Sequence, residues 1–170
     1  MKYVVSALFV SWAFGLASAF NIQEPGANVK RSNDTCGNPT SGVPFYRLYN
    51  AAGIDHFYTT DVTELIGACN VNPLQEVATV VFLLQEESTV PFYRLRNVAK
   101  SDNFYTISTT ERDNAIQNDY VLFAPNPVTY IYPTQICGSI PFYRLINVAK
   151  VDNFYTTSEA ERLRFITDEG

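Results

Sequence analysis

The chain has 170 residues, with 12 basic and 17 acidic side chains for a formal net charge of −5, one histidine and three cysteines. That length can bury a real core, as one domain or a short repeat array. Without the first 31 residues, which hold three of the basic groups and one of the acidic, the balance is nine against sixteen, or −7; an anionic chain with no basic stripe gains nothing from counterion release, which argues against nucleic acid and anionic membrane surfaces as partners.

The chain opens with Lys2, an apolar run from Val4 to Leu16 and the small-x-small site Ala17-Ser18-Ala19. This is the three-part layout of a signal peptide over residues 1–19, cleaved after Ala19. The run is too short to span a bilayer comfortably, and no later stretch reads as an anchor. The expected product is therefore secreted and extracellular, with no membrane insertion. Residues 20–31 contain Gly and Pro, lack periodicity and end in Lys30-Arg31. Cleavage after Arg31 makes that segment a propeptide with Ser32 as the mature start; an ordinary solvated charge pair leaves the start at Phe20. Residues 32–43 read as a polar, turn-rich linker carrying one usable glycosylation site, Asn33 of Asn33-Asp34-Thr35.

All three cysteines lie in the exported part, where disulfides persist. Cys36-Gly37 and Cys137-Gly138 occupy similar connectors before a Pro-Phe-Tyr segment, whereas Cys69 aligns with Ile116 and Ile166. The expectation is a Cys36–Cys137 bridge and a free, buried Cys69, other pairings staying open on sequence alone. One histidine and scattered cysteines give no ligand cluster, so no metal and no cofactor is expected.

From residue 43 onward one unit repeats. Pro44-Phe45-Tyr46-Arg47-Leu48 returns at Pro91 to Leu95 and at Pro141 to Leu145, and Asp55-His56-Phe57-Tyr58-Thr59 returns as Asp102-Asn103-Phe104-Tyr105-Thr106 and Asp152-Asn153-Phe154-Tyr155-Thr156. Such a period marks an array or ring of one supersecondary unit. The aromatic pair of segments reads as a hairpin. Ser108 to Glu111 and Ser158 to Glu161 are capping boxes opening helices of about two turns, with Asp61 to Glu64 their counterpart. Val77 to Leu84 and Val128 to Tyr132 read as third strands. The expected fold is mainly β with short helices, an α+β repeat of three strand-strand-helix-strand units about a pseudo-threefold axis. The units run 43–89, 90–139 and 140–170, the last truncated.

Pro-x-Tyr-Arg-Leu-x-Asn, Asp-His-Phe-Tyr-Thr-Thr and Ser-x-x-Glu-Arg resemble a family of uncharacterised repeats found in small secreted fungal proteins and appended to secreted bacterial cell-wall or hydrolytic enzymes. The resemblance covers about residues 36–170 and implies the fold and export, not a reaction. Its association with wall-acting enzymes favours polysaccharide attachment. The Gly-Tyr-x-x-Glu-Gly-hydrophobic strand of that family is only loosely matched by Val77 to Leu84.

Catalytic chemistry finds little support. His56 is replaced by Asn103 and Asn153 in the other units, and asparagine is no general base. Glu64, Glu111 and Glu161 sit three residues after helix caps, which explains them without a glycosidase carboxylate pair. Arg47, Arg94 and Arg144 are expected in structural ion pairs, with Asp55, Asp102 and Asp152 as partners. The hairpin mouths are the candidate ligand sites: Asp55 with His56, Asp102 with Asn103 and Asp152 with Asn153, supported by Tyr58, Tyr105 and Tyr155, which offer sugar-binding amides, carboxylates and rings. The leading expectation is a secreted, non-catalytic binding module for a cell-wall or other glycan. The alternative is a structural or host-facing protein that binds an extracellular protein; a hydrolase ranks last.

Overall fold

The computed structural model describes residues 6–10, 35–124 and 127–168. The expected cleavage points at Ala19 and Arg31, the segment 20–31 and the glycosylation site at Asn33 lie outside the described residues. The fold is mainly β: β1 (Ser6–Val10), then β2 (Gly42–Asn50), β3 (Asp55–Thr59), α1 (Val62–Ala68) and β4 (Leu74–Phe82). The second unit has β5 (Val90–Asn97), β6 (Asp102–Thr106), α2 (Thr109–Ile116), β7 (Val121–Leu122) and β8 (Thr129–Ile131). The third has β9 (Ile140–Asn147), β10 (Asp152–Thr156) and α3 (Glu159–Asp168).

Each unit is built alike. A four-residue loop joins the hairpin strands and fixes the register, pairing Asn50 with Asp55, Asn97 with Asp102 and Asn147 with Asp152. The asparagine side chain holds the loop, as where Asn50 Oδ1 accepts from the Ala52 and Gly53 amides at 3.0 and 2.9 Å. The last loop residue, Ile54, Ser101 or Val151, stands at a φ of 53°, 51° or 57°. Two of these are β-branched, for which the left-handed region is strained, so surrounding structure must impose it. The caps fall where the sequence places them: Asp61 Oδ1 accepts from Thr63 and Glu64, and Ser108 and Ser158 Oγ from Glu111 and Glu161.

Third strands depart from the sequence reading. β4 starts earlier, at Leu74, and runs antiparallel to β2. In the second unit the strand comes in two pieces, β7 and β8, both on β5. Pro125 and Pro127 fall between them, and proline has no amide to give to a ladder. In the third unit the outer edge of β9 is taken by β1, antiparallel, with Ser6 opposite Arg144 and Val10 opposite Ile140. Those five residues lie inside the stretch read as an export signal.

The three inner strands β3, β6 and β10 contact one another around the axis, and Phe45, Phe92, Phe142, Tyr58, Tyr105 and Tyr155, each at most 1% exposed, fill the centre. The segment read as a linker is tied down from Thr35. Cys36 is bridged to Cys137, Gly37 N donates to Tyr132 Oη at 3.0 Å, and Asn38 N to Glu86 at 2.9 Å. Among the described residues no helix is long and apolar enough to cross a membrane.

Cys69 is free, as expected, but exposed rather than buried. Leu48, Phe57 and Leu65 form a small core with Ala68 and Tyr46 at its margin; the cysteine caps α1 one residue further out. Iodoacetamide is therefore expected to modify Cys69 in the native protein with no denaturant, while Cys36 and Cys137 stay linked in a non-reducing peptide map.

Candidate functional site: the clefts between units

Most hairpin-mouth residues join the units together. Tyr58, Tyr105 and Tyr155 form a closed ring at the axis. The Tyr105 hydroxyl donates to the Tyr58 carbonyl at 2.7 Å and accepts from the Tyr58 amide at 2.8 Å. Tyr58 does the same to Tyr155, and Tyr155 to Tyr105. Their ring centroids are 5.5–5.6 Å apart, edge to face. Burial pushes all three phenols up, leaving them neutral donors.

A second ring uses the aspartates, each gripping the next unit. Asp55 accepts from Asn103 N and Nδ2 at 3.0 and 2.8 Å. Asp102 takes the same two groups of Asn153, and Asp152 takes His56 N and Nδ1, both at 2.9 Å. The third ring pairs arginine with glutamate. Arg94 bonds Glu64 at 2.8 Å, Arg144 bonds Glu111 at 3.0 Å, and Arg47 bonds Glu161 at 2.8 Å with Glu76 also near at 3.2 Å.

The arginines thus find glutamates of a neighbouring unit, not the aspartates expected. The register explains why. Arg47 lies opposite Tyr58, and Arg94 opposite Tyr105. The aspartate is three residues before that tyrosine, so the two-residue period of a strand puts it on the other face. Burial disfavours ionised Glu111 and Glu161, yet the Arg144 and Arg47 guanidiniums outweigh it and hold both carboxyls below their usual range. Among the described residues the Nε atoms of Arg47 and Arg144 have no partner, whereas Arg94 Nε donates to Asn103 Oδ1 at 3.1 Å.

These rings place the tyrosines, Asp102, Asn103, Asp152, Asn153 and His56 in the interior, none more than 6% exposed. Most of their polar atoms bond to other units, while Asn103 and Asn153 also form part of the walls of the clefts between units. Asp55 differs. The Asp102 carboxylate is covered by the Tyr120 hydroxyl at 2.6 Å and that of Asp152 by the His56 ring, whereas Asp55 is half-buried and borders a cleft. Burial, opposed by the two bonds from Asn103, pushes Asp55 up to about 6. The folded state then keeps a proton that the unfolded chain gives up near pH 4, so this group's contribution to stability falls as pH rises from about 4 to about 6.

The cleft beside Asp55 lies between the first and second units and has a volume of about 260 Å³. Its polar wall includes Asn50, Asn72, Arg96 and Ser101, with Ala68 and Val71 opposite and Phe57 beneath. A cleft of about 280 Å³ occupies the like position between the second and third units, with Phe104, Ala115, Asn118, Arg144, Ile146 and Asn153 replacing Phe57, Ala68, Val71, Arg94, Arg96 and Asn103. Between the third and first units the like space is filled. Phe165 stands where Ala68 and Ala115 stand, stacked on Phe154 at 4.1 Å, and Tyr49 stacks on His56 at 4.4 Å. Nothing short of aligning helix positions across the units signals this, and the cleft-lining Asn72, Arg96 and Ser101 carry no motif, while Asn50 closes the Pro-x-Tyr-Arg-Leu-x-Asn segment.

Beyond the Glu64–Arg94 pair a larger recess, about 480 Å³, opens between Phe45, Leu83, Phe123, Ala124 and Val128. It exists because the second unit's third strand is interrupted there, whereas the continuous β4 covers the corresponding place on the third unit, where Thr157 Oγ1 donates to the Ala78 carbonyl.

Fold and clefts together define a pseudo-threefold β repeat protein, its units joined by buried polar rings, with clefts at two of three boundaries. The chain matches the family described as a domain of unknown function, DUF5648, over residues 20–120 and 44–170, and belongs to that family. No curated protein and no solved structure matches it.

Proposed function

We propose that the protein is a secreted, non-catalytic binding module that holds a glycan in the cleft between its first and second units. The supporting observation is the mixed donor and acceptor set around that cleft. Asn50 Oδ1 is committed to its own loop, which leaves Nδ2 as a donor. Asn72 Nδ2 donates to the Ala68 carbonyl at 3.3 Å, which leaves Oδ1 as an acceptor. The Asp55 carboxylate keeps lone pairs beyond the two that Asn103 uses, and exposed Arg96 adds a guanidinium. Alternating donors and acceptors around a ring-sized hollow suit vicinal hydroxyls, which offer both. The second cleft is lined by different amides, Asn114 and Asn118, and its aspartate is covered by Tyr120, so the first is the principal site. The disulfide and the residue 1–19 leader support export.

Catalysis finds no comparable support. The one histidine is buried against Asp152 and the glutamates are tied to arginines. A glycan array probed with the secreted protein tests the reading. Retention on a restricted set of glycans, weakening as the pH falls below about 6 and Asp55 protonates, is the expected result. A blank array would move the function to protein partners.

A further inference from the structure

We propose that the outer edge of β9 is a strand-docking site that takes an extended, apolar peptide segment of another extracellular protein. The inference rests on the export reading above, because export removes the residues that hold this edge in the structure.

The other first strands show what the edge requires. β2 carries β3 on one side and β4 on the other, and β5 lies between β6 and the β7–β8 pair. Among the described residues β9 has β10 on one side and only β1 on the other. β1 is a faithful substitute. It runs antiparallel, as β4 and β8 do, and in the same register: Val81 faces Val43, Ile131 faces Val90 and Val10 faces Ile140. One position earlier Val80, Tyr130 and Phe9 face Pro44, Pro91 and Pro141. Val81 and Ile131 are wholly buried in the central core, so this register position requires a large aliphatic side chain. β1 also touches β4 and β8, as a strand inserted toward the axis must.

Among the described residues only β1 pairs with this edge, so removal of residues 1–19 takes away the partner of β9 beside the core position that Val81 and Ile131 fill in the other units. An open edge of this kind is the template for strand addition, in which main-chain bonds give affinity and alternate side chains give specificity. The occupant is specified by the strand now seated there: five extended residues, Ser-Ala-Leu-Phe-Val in chemistry, with an aliphatic residue at the Val10 position. This edge lies in the third unit, away from the glycan cleft of the first and second.

The test uses the full chain expressed for secretion and collected from the medium. Its N-terminus is read by intact mass, and it is titrated with a fluorescent peptide spanning Tyr3 to Ser11 with solubilising lysines added. A product starting at Phe20 or Ser32 that binds this peptide saturably at 1:1, and at least about tenfold more tightly than one with proline at Ala7 and Leu8, is the expected result. A processed product that ignores the peptide overturns the proposal, as does one that sediments as a dimer and excludes it, since a second copy then holds the edge. A product retaining residues 6–10 overturns both the open edge and the export reading. Glycan binding by a processed product that fails to bind the peptide separates the two readings.

Discussion

Replacing Glu64 by alanine is expected to cost about 3–5 kcal/mol of stability, because it leaves the guanidinium of Arg94 buried without its counter-charge. Arg94 is 4% exposed and lies between Phe57 and Phe123, its guanidinium carbon 5.1 and 4.0 Å from their ring centres. Among the described residues Glu64 alone neutralises it, through two bonds to Nη1. The reverse change, Arg94→Leu, is expected to hurt less, since the Glu64 side chain is a quarter exposed and can turn to water. The double variant should then be more stable than Glu64→Ala alone. Urea unfolding of the four proteins checks this; a double variant that only adds the two single losses would mean that the pair does not couple the units.

Tyr105→Phe is expected to cost about 2–4 kcal/mol, because one hydroxyl serves both the amide and the carbonyl of Tyr58 and its loss leaves two buried backbone groups unpaired. Tyr58→Phe and Tyr155→Phe should cost nearly the same, since each closes one third of the same ring. Thermal melts of all three variants are the measurement. A loss well below 1 kcal/mol at any of them would show that water replaces the hydroxyl and that the axis is not dry.

The sequence made the repeat, the hairpins, the caps and the disulfide legible because each is local or recurs three times. Loop length alone settled the register: four residues in every hairpin put the same residues opposite one another. Partner choice was not legible. Arg47 and Asp55 are close in sequence, but strand parity puts them on opposite faces, and the glutamate that Arg47 meets is Glu161, in another unit. Cys69 misled because alignment with isoleucine implies a core position, yet the aligned Ile116 is itself exposed at the end of α2. The filled third boundary depends on Phe165 in place of alanine and on Tyr49 stacked on His56, whose meaning appears only once the units are set against one another. The β1 strand was hidden for another reason. A short, largely apolar run suits an export signal and a strand equally, and only its pairing with β9 reveals the strand.

The measurement that tests the central claim most directly compares two exposed blocking substitutions, Val71→Trp in the first cleft and Asn118→Trp in the second. Both positions line their clefts and stand outside the polar rings, so both variants should keep the melting temperature of the parent. Titrated with the glycan that the array selects, Val71→Trp is expected to lose binding at least about tenfold and Asn118→Trp to keep it. Full binding by Val71→Trp would contradict the account.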